Sequence, residues 1–112
     1  MNIAQIAKMA QQMQAQMAQA QEELHEATLE ATAGGGAVRV VISGAGEIRA
    51  LEIDPSAVDP AEVEMLQDLV LTAVNDAISR SKELERERMA SIASLGMPGF
   101  PGPSVPPQIR QG

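Results

Sequence analysis

The chain has 112 residues, a formal net charge of −7 at neutral pH, no cysteine, one histidine (His25) and one aromatic residue (Phe100). A chain of that length is one domain at most, and it hides only a modest share of its surface alone, so self-association is expected. Without cysteine there is no disulfide scaffold and no thiolate metal site, and a lone histidine argues against a histidine metal cluster or a conventional catalytic triad.

Residues 2–24 read as an amphipathic helix. Asn2 is a good N-cap with Gln5 at capping-box spacing. Ile6, Met9, Met13, Met17, Ala20 and Leu24 recur with the mean step of a straight α-helix, which predicts a stripe packed on the protein's own core or on a second chain. Gln5, Gln12, Gln16 and Gln19 make a flanking face. No apolar run here has the length of a signal-peptide core, and none anywhere approaches a membrane span. A cytoplasmic protein with no membrane partner is the expectation.

From Glu26 the period falls to two. Ala27, Leu29 and Ala31 alternate with Thr28, Glu30 and Thr32, a strand pattern. Gly34-Gly35-Gly36 breaks the chain, and a β-branched strand follows through Val38, Val40 and Ile42. Gly44-Ala45-Gly46 signals a turn, and Glu47–Ile53 makes a third strand with Leu51 and Ile53 on one face. Short connections predict an antiparallel meander. Asp54-Pro55 ends it. Asp59 as N-cap, Pro60 at the first helical position and Val58 with Val63 as a staple then open a second helix that runs to about Leu95. Leu66, Val70, Ala73, Ala77, Leu84, Ile92 and Leu95 share its apolar side. If continuous it is on the order of 50 Å long, more than the roughly 30 Å width of such a domain, so part of it should project. Residues 96–112, with five Pro and four Gly, read as a flexible tail after a domain of residues 1–95. The fold class is α+β.

The chemistry-bearing motifs are sparse. The glycine triplet lacks the Lys-Ser/Thr pair and the helix start of a phosphate loop. The acids of residues 54–79 lack calcium-loop spacing, and His25 reads as a surface residue. No catalytic residue, cofactor, metal or small-molecule substrate is expected, so the chain is not expected to be an enzyme. Charge is unevenly spread: residues 54–79 hold six acids and no base, whereas residues 80–112 hold five bases and three acids. An acidic total argues against nucleic acid but leaves room for a local basic patch. Within Lys82–Arg88, pairs such as Glu83 with Arg86 and Glu85 with Arg88 would support a solvated helix face.

Five segments in order carry a resemblance: the Met/Gln helix ending Gln21-Glu22-Glu23-Leu24; Gly34-Gly35-Gly36-Ala37-Val38-Arg39-Val40; Leu51-Glu52-Ile53-Asp54-Pro55; Glu64-Met65-Leu66-Gln67-Asp68-Leu69-Val70 with Ala73 and Asn75-Asp76-Ala77; and Met89 with Gly96-Met97-Pro98-Gly99-Phe100. In these the sequence resembles the YbaB/EbfC family of bacterial nucleoid-associated proteins over nearly its whole length. The resemblance implies an α-β-β-β-α protomer, an intertwined, tweezer-like homodimer and a nucleoid location. It also implies binding to duplex DNA with little sequence preference and with altered DNA conformation, in nucleoid organisation or gene regulation. Carried over by position, it points to Lys8, Arg80, Lys82, Arg86 and Arg88 as DNA contacts. Relatives tend to carry several lysines in the first helix, where Lys8 here stands alone, so the expected contact shifts toward the last helix. The alternative is a protein-interaction clamp or holdase-like module that uses the Met-rich helix and projecting arms.

Overall fold

A computed structural model describes residues 2–96; the Pro/Gly-rich segment from residue 97 onward, read above as a flexible tail, lies outside the described residues. The elements are α1 (Ile3–Glu26), β1 (Thr28–Ala33), β2 (Val38–Ser43), β3 (Ile48–Ile53), two 3₁₀ turns (Pro55–Ala57 and Pro60–Glu62) and α2 (Val63–Gly96). The strands form one antiparallel sheet in the order β1-β2-β3, the meander that the alternation and short connections predict.

Local chemistry sets each boundary. The Asn2 side chain accepts from the Gln5 amide at 2.8 Å and starts α1. Gly34, Gly35 and Gly36 all take positive φ (65°, 68° and 96°), a region costly for other residues, and so close the β1–β2 hairpin between Ala33 and Val38. Asp54 accepts from the Ser56 amide (2.9 Å) and hydroxyl (3.0 Å). Those bonds, the backbone one first, hold its carboxyl below the usual carboxylate range. Asp59 does cap the next turn, accepting from the Ala61 amide at 3.0 Å, but Pro60–Glu62 is a 3₁₀ turn that leads into α2 and not its first α-helical turn. Tight 3₁₀ turns are frequent at helix N-termini. Val58 and Val63 stay about half exposed, so the expected staple covers little.

The core lies between one face of the sheet and α2. Ala31, Ala33, Val38, Val40 and Ile42 meet Ala73 and Ala77, with Leu29, Ile53, Leu66, Leu69, Val70, Val74 and Ile78 packed around them. The two alanines let the helix lie close over β1 and β2. On the same sheet face, Leu51 pairs opposite Val40, and Ile48 pairs opposite Ile42 beyond a register shift. Both remain more than 40% exposed, because α2 does not reach over β3. The opposite face is polar: Arg39 sits between Glu30 and Glu52, 2.9 Å from the latter.

The α1 stripe departs from expectation. Ala20 and Leu24 are buried and Met13 is half-buried, but Ile3, Ile6, Met9 and Met17 remain exposed, Ile3 at 84%. Only the C-terminal end of α1 has a neighbour to bury against. There Gly44, in the β2–β3 turn, is wedged under both helices: a Cβ on it would lie 2.8 Å from the Leu24 carbonyl oxygen and 3.1 Å from side-chain carbons of Leu24 and Leu84. The Gly44 amide donates to the Ala27 carbonyl at 3.2 Å, and the buried Ser81 hydroxyl donates to the Ser43 carbonyl at 2.9 Å.

Because the obstructing atom is backbone, Gly44→Ala should destabilise the fold by about 1–3 kcal/mol, the usual cost of overpacking. A lower denaturant midpoint with an unchanged slope is the expected result; an unchanged midpoint means that the joint is loose.

Candidate nucleic-acid interface

From the Gly44 joint, α1 and the C-terminal half of α2 leave the sheet side by side and run in opposite directions. Leu24 and Leu84 meet at Gly44, Glu23 pairs with Arg88 further out, and Ala20 and Ile92 are buried beyond that. The result is a two-helix arm on a sheet-and-helix body. Its continuation past Ile92 gives the molecule extents of 70 × 34 × 16 Å. The projection expected from the length of α2 is therefore present, and α1 shares it.

The five candidate contacts all fall on this arm or at its root. Lys8 is exposed on the outer half of α1 and Lys82 is exposed on α2; neither makes an ion pair among the described residues. The arginines are engaged. Arg80 pairs with Asp76 at 3.1 Å, one helical turn back, and Arg86 pairs with Glu83 at 3.2 Å, as the spacing predicts. Arg88 does not pair with Glu85. It reaches across to Glu23 on α1, with Nε 3.0 Å from Oε1. Away from the arm, Arg39 is held by Glu30 and Glu52, and Arg49 donates to the His25 carbonyl at 2.6 Å and pairs with Glu47. All five arginines of the described residues thus have carboxylate partners. These pairs are more than a third exposed, and water and salt weaken them, so an incoming phosphate can compete for the guanidinium.

The arm brings Lys82, Arg86 and Arg88 within two turns of one helix and leaves Lys8 well apart on the other. Glu23, the partner of Arg88, went unrecognised in the sequence, since 65 residues separate the two and no local spacing signals the contact. His25 is exposed, as expected of a surface residue. Among the described residues no helix is long and apolar enough to cross a membrane. On the body, Val63, Leu66, Gln67, Val70, Leu71 and Val74 line an open, almost wholly apolar trough of about 400 Å³.

Comparison with known proteins places this architecture. The YbaB/EbfC DNA-binding family model matches residues 1–97. A nucleoid-associated protein of Nocardia farcinica is 50% identical over 99 residues, covering 88% of this chain and 90% of that one. One from Moorella thermoacetica is 53% identical over 87 residues, covering 77% and 84%. Among solved structures, the uncharacterized protein HP0035 from Helicobacter pylori superposes with a TM-score of 0.76 at 24% identity, over 84% of this chain and 99% of that one, a likeness of fold. The chain belongs to the YbaB/EbfC DNA-binding family and is not an enzyme.

Proposed function

We propose that this protein is a nucleoid-associated protein that binds duplex DNA as a homodimer, with little sequence preference. On this reading it alters the DNA's conformation, in nucleoid organisation or gene regulation. The observation that carries the reading is the division of the molecule into an apolar-faced body and a projecting arm, in a chain whose relatives are named nucleoid-associated proteins. The trough along α2 and the uncovered Ile48 and Leu51 of β3 are apolar surface that one sheet and one helix leave wet. Burial against a second copy stabilises such surface at roughly 25 cal/mol per Å². Two bodies joined there would carry two arms, the geometry of tweezers around a duplex. The candidate contacts are Lys8, Arg80, Lys82, Arg86 and Arg88, with Lys8 and Lys82 free of ion pairs. The missing stacking aromatics (no Trp or Tyr) favour double over single strands.

A second reading rests on the exposed Ile3, Ile6, Met9 and Met17 of α1, which suit a protein partner: an interaction clamp or holdase-like module. Failure to shift any duplex at low salt would favour this reading.

Light scattering should give twice the mass of one chain at micromolar concentration. Leu71→Glu, which puts a charge in the trough, should shift the protein toward monomer with its helix content retained. A monomeric native protein would refute the dimer. In a gel-shift titration, a dimer that offers about four unpaired lysines should show a log–log salt slope of roughly −3.6, at roughly −0.9 per phosphate neutralised. A slope near −9 would mean that the paired arginines are recruited as well.

A further inference from the structure

The geometry points to the outer face of α1, a ridge of glutamine amides around Lys8, as the surface that lies along the DNA. This inference rests on the duplex-binding reading above and names the surface and the chemistry of the contact. Gln5, Lys8, Gln12, Gln16 and Gln19 are all exposed and follow one another at steps of 3, 4, 4 and 3. One side of the helix carries them, beside the apolar stripe and not on it. The ridge spans 14 residues, about 21 Å at 1.5 Å per residue, which matches about six successive phosphates of one strand at roughly 3.4 Å each.

Charge complementarity selects this face. The chain carries 15 acidic residues, yet residues 2–21 hold none, with Lys8 their one charge. The next position along the ridge is Glu23, and it is masked twice. Its Oε1 accepts from Arg88, and its Oε2 accepts from the Gln19 side-chain amide at 3.3 Å. Arg88 therefore serves as a cover for the one carboxylate that would otherwise end the ridge against a phosphate, and not as a phosphate ligand itself. The arm's other helix offers no such approach, since Glu83, Glu85 and Glu87 alternate with its bases. A glutamine amide donates to phosphate oxygens without bringing a charge, so an acidic protein can add contacts here that release no counterions.

The test uses the full chain and a 30-base-pair duplex, with anisotropy titrations at several salt concentrations. A variant with Gln5→Ala, Gln12→Ala, Gln16→Ala and Gln19→Ala keeps a good helix former at every site, and circular dichroism with light scattering checks its fold and mass. Its affinity should fall by about tenfold or more, through loss of several neutral hydrogen bonds, while the salt slope stays unchanged. Gln12→Glu with Gln16→Glu, which places carboxylates on the ridge, should abolish binding at moderate salt. Lys82→Ala with Arg86→Ala should lower affinity by no more than about threefold and flatten the slope slightly. Retention of native affinity by both glutamine variants, with loss in the Lys82/Arg86 variant, would overturn the ridge and leave duplex binding standing on α2. A fall in the quadruple variant's slope along with its affinity would also overturn it, because the contact would then be ionic. Absence of binding by the unmodified protein would overturn both readings.

Discussion

At Gly44 the β2–β3 turn, the end of α1 and the middle of α2 converge so closely that no Cβ fits. A Ser43 hydroxyl that accepts from the Ala45 and Glu47 amides fixes the turn. The turn in turn accepts from Ser81 and donates to Ala27. The orientation of the arm relative to the sheet rests on this joint, since Arg88 with Glu23 is a surface pair of small net worth. Every contact proposed for DNA is placed by it: Lys8 and the glutamines through α1, Lys82 and Arg86 through α2.

The body is stabilised differently. Its fully buried side chains are small or β-branched: alanines on α2 and β1, valine and isoleucine on β2. Such a core permits close approach of helix to sheet but buries little area per residue. The larger apolar side chains, Leu51, Met65 and Leu71, sit at its margins and stay exposed. A thin core with its bulk at the rim is the arrangement expected of a fold completed by a partner, which connects the small-residue seam of α2 to the proposed dimer.

The elements and their order were legible because their signals are local. The change of period near Glu26, the glycine triplet and Asp54-Pro55 each fall at or next to an observed boundary. The inward faces of β2 and β3 and the projection of α2 followed from periodicity and length. Two features of the candidate site were not legible. The stripe of α1 reads identically whether a neighbour covers it or not, and its exposure at Ile3 and Ile6 depends on where the sheet ends. The pairing of Arg88 with Glu23 depends on the crossing of two helices distant in sequence, whereas the pairing of Arg86 with Glu83 is a one-turn contact that spacing alone reveals.

Among the described residues, nothing packs on the first three turns of α1. A helical segment of that length without tertiary support stands near the midpoint of its helix–coil equilibrium, even when rich in alanine, glutamine and methionine. Its backbone amides should therefore exchange with solvent by local fraying, while those of Val38–Ile42 wait for the body to open as a whole. The arm tip and the body are then separate units of cooperativity in one short chain. Any surface that captures the tip must supply the ordering free energy of its outer turns, and it leaves a record of its footprint as slowed exchange confined to that end.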